Sequence, residues 1–250
     1  MPKNTASPGL VSEFDWLLPQ FQAHMKIVHY FNRILSISDN RILKKVYKWD
    51  HALNKIGKIK TWSWEVKEIL NENNLGYIFE SQQIFPSVIV NKNLKESLSK
   101  KQQELVKLEC ENKPKLRTFL KIKDFGQISP HVGRTLSFVE RKVVSQLRLG
   151  VLPLRLETAR YLRPILPETE RVCYCSSGEV ENELHFMFQC AKYDDLRSNW
   201  LNNLLLPENF LNLSPSDKLN LVLNIPENIK PTARYLVAAL DLRRLINKTY

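Results

Sequence analysis

Four potential metal ligands lie close together near the C-terminal end of the 250-residue chain. Cys173, Cys175, His185 and Cys190 form the pattern C-x-C-x9-H-x4-C. Three thiolates and one imidazole are a set that Zn²⁺ takes in closed tetrahedral sites. Because four protein ligands leave no position for a water molecule, the pattern predicts one structural zinc ion without a catalytic role.

The spacing of the first two cysteines is unusual for such a site. Zinc knuckles commonly begin with C-x2-C, in which the turn lets backbone N–H groups donate to sulfur, whereas only one residue separates Cys173 from Cys175. The alternative is therefore a degenerate knuckle that binds no metal. A disulfide framework would be expected in a smaller, secreted chain with a higher density of cysteines.

The excess of positive charge is concentrated in one segment. The whole chain has a net charge of +11, and residues 113–163 hold twelve Lys or Arg against three acidic residues. A concentrated basic segment is typical of a phosphate-binding surface. The alternative is an ordinary solvated face.

A helix predicted at the centre of the basic segment has an apolar and a cationic face. Apolar residues recur at helical spacing from Leu136 through Val139 and Val143 to Leu147. Arginines repeat every seven residues and fall on the other side, so we expect them to be exposed. The predicted nucleic-acid contacts are Arg134, Arg141, Lys142 and Arg148, continued by Arg155, Arg160 and Arg163.

Helical signals recur along the rest of the chain. Ser137 with Glu140 forms a capping box, Gly150 follows as a helix terminator, and Ser214 precedes a proline at a helix start. Ser38 or Asp39 can cap a helix running to Trp49. The expected fold is mainly α, a helical array with a small zinc-knuckle-like loop. Other predicted helices cover residues 21–35, 62–70, 91–111, 193–205 and 232–246.

The residues around the four ligands resemble a known family. Arg171-Val-Cys-Tyr-Cys175 and the acidic run Glu179-Val-Glu-Asn-Glu-Leu-His-Phe before Cys190 resemble the zinc-binding segment near the C-terminus of non-LTR retrotransposon reverse transcriptases. Residues 114–118 and 146–160 resemble the region that precedes this segment. Residues 30–35 and 39–45 resemble the linker that follows the polymerase thumb.

The resemblance implies an accessory role for the chain. In the family this region follows the polymerase and helps to engage template RNA or target DNA, so RNA or DNA and the polymerase core of the parent element are the implied partners. The helical and charge patterns predict a disordered lead (1–11), a helical region (12–112) that the resemblance makes a thumb-like linker, a basic region (113–210) containing the zinc segment (171–190), and C-terminal helices (211–250).

No enzymatic activity is expected. Tyr193-Asp194-Asp195 imitates one polymerase carboxylate motif but opens a helical pattern with no apolar strand beside it, so we interpret the aspartates as helix N-terminal charges. A reverse transcriptase needs two such motifs to hold Mg²⁺. An endonuclease motif is not matched by the spacings at 217–218 or 227–230.

A second class of function remains open, a structural or protein-interaction module. The basic helix would then contact an acidic partner, and the tryptophans would serve as core residues, the usual role of that side chain. No leader or membrane-length apolar stretch is visible, so we expect a nuclear or cytoplasmic protein that is not secreted and has no membrane partner. The tryptophans concerned are Trp16, Trp49, Trp62, Trp64 and Trp200.

Overall fold

The computed structural model of the protein describes residues 6–57 and 60–246. It is all-helical, with 70% helix and no strands among the described residues, which confirms the mainly α fold class. The α-helices are α1 (Ser7–Phe14), α2 (Pro19–Ser36), α3 (Ile42–Ile56), α4 (Trp62–Glu72), α5 (Gly76–Ser81), α6 (Ser87–Glu111), α7 (Phe119–Ile122), α8 (Phe138–Arg148), α9 (Arg155–Thr158), α10 (Asp194–Leu201), α11 (Pro215–Asn224) and α12 (Pro226–Ile246).

The chain forms two compact units. The small unit comprises residues 16–105, and the large unit comprises residues 6–15 together with 106–246. The junction near residue 105 lies within α6 and close to the boundary predicted at 112. The large unit contains the described residues of the predicted segments 113–210 and 211–250.

Aromatic packing organises the small unit. The ring of Phe31 on α2 lies 5.7 Å from Phe79 on α5 and 5.9 Å from Tyr47 on α3. The buried Lys44 ammonium donates to the carbonyls of Ile34 and Leu35 at 3.0 and 2.9 Å, satisfying acceptors that the end of α2 leaves without helical partners. These contacts join α2, α3 and α5 around one core.

The predicted cap of α3 was wrong. The residue before the helix is Arg41, and no side chain caps it. Asp39 instead forms an exposed ion pair with Lys48, at 2.9 Å. The Asp39 carboxylate therefore contacts a side chain of α3 and does not accept a capping hydrogen bond from the backbone of the helix.

The large unit is built around α8, α11 and α12. Val144 and Leu147 on α8, Val222 on α11 and Leu236 on α12 are all fully buried in one continuous core. α12 begins at Pro226, six residues before the predicted start, and continues through Pro231. This long helix forms one wall of the unit that carries the four potential metal ligands.

The ends of α8 agree with the sequence prediction. Glu140 N–H donates to Ser137 Oγ at 3.3 Å, and Ser137 N–H donates to Glu140 Oε2 at 2.8 Å, which confirms the capping box. Gly150 has a φ of +62°, and a Cβ there would lie 2.0 Å from the Lys115 carbonyl oxygen. Only glycine fits this close approach. Ser214 also caps α11 as predicted.

The described part of the predicted disordered lead is helical. α1 covers Ser7–Phe14, and its Gly9 lies so near Leu149 that a Cβ would be 2.7 Å from that side chain. Glu13 is buried and paired with Arg148, which lies far along the sequence. Long-range contacts therefore order a segment whose local sequence gives a weak signal; residues 1–5 lie outside the described residues.

None of the helices that the structure describes is long and apolar enough to cross a bilayer.

Candidate metal centre

A tight hairpin-like loop positions the first two cysteines. Cys173 N–H donates to the Glu179 carbonyl at 2.7 Å, and Glu181 N–H donates to the Arg171 carbonyl at 3.0 Å. The chain reverses between them through positive φ angles at Ser176 and Gly178. This reversal turns the short C-x-C segment back toward the residues that follow.

A π-helical turn positions the other two ligands. The turn covers His185–Gln189, and Cys190 N–H donates to the His185 carbonyl at 2.8 Å, across five residues. His185 N–H in turn donates to Asn182 Oδ1 at 2.9 Å, which fixes the start of the turn. The imidazole and the last thiol therefore lie on the same side of the chain.

The four ligand atoms converge. The sulfurs of Cys173, Cys175 and Cys190 and a ring nitrogen of His185 all lie within 4.8 Å of one another. Cys173 Sγ is 3.7 Å from Cys190 Sγ, and Cys175 Sγ is 3.3 Å from His185 Nε2. A tetrahedral zinc site has ligand–ligand edges of about 3.5 to 3.8 Å. The group could hold a metal ion, and the short C-x-C spacing does not separate its members.

The same geometry argues against a disulfide. All four cysteines are free, and the 3.7 Å between the sulfurs of Cys173 and Cys190 far exceeds a disulfide bond of about 2.05 Å. Cys110 is buried on α6 and does not belong to the group.

Burial dominates the electrostatics of the ligands. It raises the pKa values of the Cys173 and Cys190 thiols and lowers that of the His185 imidazole. For Cys175, burial acts upward, but hydrogen bonds with Ser177 and the neighbouring thiols bring its pKa below the ordinary value. A bound cation would displace the thiol protons, while the neutral imidazole is already in its ligating form.

Buried ion pairs anchor the loop, and sequence reasoning missed them. Glu181 Oε1 and Oε2 accept from Arg243 on α12 at 2.8 and 2.6 Å. Both Glu183 oxygens accept from Arg117 Nη2 at 2.9 Å. The two carboxylates are 2% and 3% exposed, so they point inward, whereas Glu179 is exposed. Spacing at every second position would place Glu179 on the same face as the other two, so the sequence by itself did not single out the buried pair.

The predicted cationic stripe is only partly on the surface. Arg134, Arg141, Lys142 and Arg163 are exposed. Arg155 and Arg160 are half-buried, the first over the Tyr174 ring at 4.6 Å and the second 3.3 Å from a Glu157 oxygen. Arg134 also forms an exposed ion pair with Glu227 at 3.3 Å.

Arg148 is fully buried, so its predicted exposure was wrong. Its guanidinium donates to Glu13 Oε1 at 2.8 Å, Ser129 Oγ at 3.1 Å and Asn224 Oδ1 at 2.9 Å. The seven-residue repeat placed it with Arg141, but α1 and the end of α11 cover this last turn of α8. Val139 deviates in the opposite sense, since it was predicted in the apolar stripe and is 52% exposed.

The aspartates after the last cysteine and the five tryptophans were also the subject of sequence predictions. Asp194 and Asp195 lie in the first turn of α10, as predicted, and Asp194 pairs with Arg197. Of the tryptophans, Trp200 is buried, Trp62 and Trp64 are half-buried, and Trp16 and Trp49 are 61% and 66% exposed. A core role was therefore right for Trp200 and wrong for Trp16 and Trp49.

Comparison of the chain with protein-family models, with curated proteins and with solved structures finds no match.

Proposed function

We propose that the chain is a non-catalytic nucleic-acid-binding region held by one structural zinc ion, similar to the C-terminal part of a non-LTR retrotransposon reverse transcriptase. The observation that carries the proposal is the convergence of three cysteine sulfurs and one histidine nitrogen within 4.8 Å. Zn²⁺ is the common ion for this ligand set, and four protein ligands leave it no open position.

The zinc ion would supply cross-linking and no reaction chemistry. Cys173 and Cys175 belong to the hairpin-like loop, and His185 and Cys190 to the π-helical turn, so one ion would join two segments. The loop has a single isolated bridge, between Val172 and Val180, as its β-type pairing. In such short segments metal binding supplies a large part of the folding free energy.

Metal analysis of the purified full chain tests this part. We expect about one equivalent of zinc in the wild type and in Cys110→Ser, and almost none in Cys190→Ser. Cys110 is a matched control, because it is as buried as Cys190 but lies outside the group. A wild type without zinc would contradict the proposal and favour a degenerate loop that has lost its metal.

Exposed cations support the nucleic-acid part. Arg134, Arg141 and Lys142 are exposed at and just before α8, and Arg163 is exposed farther along the same basic segment. Arginine forks and lysine ammonium groups bind backbone phosphates without reading the base sequence. RNA or target DNA is therefore the proposed partner, engaged together with the polymerase core of a parent element.

Binding measured at several salt concentrations tests this part. Replacing Arg134, Arg141 and Lys142 with Gln should weaken binding to all sequences alike and lower the salt slope by about three. Lys92, Lys95 and Lys100, exposed on α6 in the small unit, give a control variant with the same loss of charge. If the two triple variants weaken binding equally, the affinity depends on net charge alone and the α8 cations are not a specific contact surface.

The absence of catalysis is part of the proposal. Asp194 is already paired with Arg197, and both Asp194 and Asp195 lie at a helix start rather than on a strand. We expect no primer extension with Mg²⁺. Extension that is abolished by Asp195→Asn would overturn this part.

One observation favours the alternative of a protein-interaction module. The outer face of α3 exposes Ile42, Val46, Trp49 and Ile56, with exposed fractions of 53% to 78%. Such an apolar face is typical of a contact with another protein. A wild type that binds neither RNA nor DNA at low salt would favour this alternative over the proposed function.

A further inference from the structure

A groove beside α8 combines an apolar wall with two cations. It has a volume of about 540 Å³ and is lined by Phe14 of α1, His131 and Val132 of the preceding turn, and Phe138, Arg141 and Lys142 of α8. This volume lies within the range of about 300–1,000 Å³ that is usual for sites that take small molecules. None of the described residues that line the groove is acidic.

The aromatic side chain at its rim is unusually exposed. Phe138 is 81% exposed, although it begins a helix whose other face is in the core. The exposed phenyl ring therefore contributes little to the hydrophobic core, but it presents a flat face beside the groove. Aromatic faces of this kind stack on nucleobases, irrespective of which base is present.

The cations lie within one helical turn of this ring. Arg141 donates one hydrogen bond to the Leu136 carbonyl at 3.2 Å, which leaves most of its five N–H donors for a ligand. Lys142 is exposed on the same turn. An apolar face next to two cations matches a ligand with a flat ring at one end and a phosphate at the other.

The floor of the groove is uncharged near neutral pH. His131 is buried, its Nε2 lies 3.3 Å from Ser145 Oγ, and burial lowers the pKa of the imidazole to about 4. The imidazole thus offers a neutral surface to the ligand, and the positive charge stays at the rim with Arg141 and Lys142.

We infer that this groove takes one unpaired nucleotide of a single-stranded nucleic acid, with its base against Phe138 and its phosphate on Arg141 and Lys142. The inference rests on the proposed function and adds a preference for single strands. A base paired in a duplex presents no free face to stack on a side chain, so it cannot occupy the groove.

Binding of the full chain to labelled oligo(dT), alone and annealed to oligo(dA), tests the inference. Phe138→Ala should weaken binding to the single strand by about tenfold or more and leave duplex binding within about twofold. Phe138→Trp should retain single-strand binding. Val139→Ala is the matched control, since it removes the next exposed apolar side chain of α8, which does not line the groove.

Two results would overturn the inference while leaving the proposed function intact. One is a Phe138→Ala variant that binds oligo(dT) as tightly as the wild type, and the other is an equal loss of single-strand and duplex binding. If the wild type binds neither the single strand nor the duplex, the result contradicts the proposed function itself. Unchanged zinc content and circular dichroism of each variant verify that it is folded.

Discussion

Arg141 and Arg148 lie two turns apart on α8 and have opposite environments. Arg141 is exposed, whereas Arg148 is 0% exposed and donates to Glu13, Ser129, Asn224 and the Leu223 carbonyl. A guanidinium can be buried only if its donors and its charge are satisfied, and here both are. Arg148 thereby ties α1 and α11 to the end of α8.

We predict that Arg148→Met strongly destabilises the large unit. The Glu13 carboxylate would remain buried without its cation, a loss of about 3–5 kcal/mol. Arg141→Met on the exposed face of the same helix should change stability by less than about 0.5 kcal/mol. Urea unfolding followed by circular dichroism measures both effects.

A third variant separates charge from packing at this position. The double change Glu13→Gln with Arg148→Met removes both charges and should recover part of the lost stability. If the double variant is no more stable than Arg148→Met, the loss comes from packing rather than from an uncompensated carboxylate.

The metal loop depends on elements that are distant in sequence. Glu181 is held by Arg243 on α12, and Glu183 by Arg117 in the turn before α7. Together with hydrogen bonds from the Arg155 and Leu156 N–H groups to Glu181, these two ion pairs fix the loop against the rest of the large unit. The acidic run thus has a structural role in positioning Cys173, Cys175 and His185.

We predict that Glu181→Gln lowers the free energy of unfolding by about 3–5 kcal/mol, because it leaves the Arg243 guanidinium with a neutral partner in a buried position. Glu179→Gln, an exposed position two residues earlier, should have an effect below about 0.5 kcal/mol. Thermal unfolding of the zinc-loaded proteins compares them. If Glu181→Gln and Glu179→Gln melt at the same temperature, Glu181 does not anchor the metal loop.

One buried pair contributes to the pH dependence of the large unit's stability. His131 Nδ1 lies 3.6 Å from Glu13 Oε2, and both residues are almost completely buried. Burial lowers the pKa of His131 from 6.5 to about 4. Burial also acts to raise the pKa of Glu13, but the charges of Arg148 and His131 and the hydrogen bonds with Ser129 and Arg148 together outweigh it, and the pKa of Glu13 falls below its ordinary value of 4.5.

The sign of the effect on stability follows from these shifts. As pH falls from 6.5 to about 4, the unfolded chain takes up a proton on His131 that the folded chain does not, so stability falls by about 3 kcal/mol. Glu13 stabilises the fold above pH 4.5, and its contribution is lost as pH falls through its lowered pKa.

We therefore predict that His131→Gln flattens the decline of stability between pH 6.5 and about 4. His29→Gln, which changes an exposed histidine of α2, should keep the wild-type decline. Protonation of the metal ligands is common to all three proteins, so the difference between their slopes isolates His131. Urea unfolding at a series of pH values measures it, and identical slopes would contradict the prediction.

Local signals determined much of this protein from its sequence. The capping box at Ser137, the terminating Gly150 and the four potential ligands all depend on short-range spacing, and the structure contains each of them. A capping hydrogen bond or a positive φ angle involves residues within a few positions of one another. Such features can be identified before any tertiary contact is known.

Tertiary structure decided which charged and aromatic side chains were covered. Helical periodicity gives the face of α8 on which Arg148 lies, but only the packing of α1 and α11 against its last turn buries that face. Glu181 became an anchor because Arg243 lies opposite it, sixty-two residues away. Trp49 stayed exposed because no described element covers the outer face of α3. Burial depends on contacts between residues distant in sequence, which no local pattern specifies.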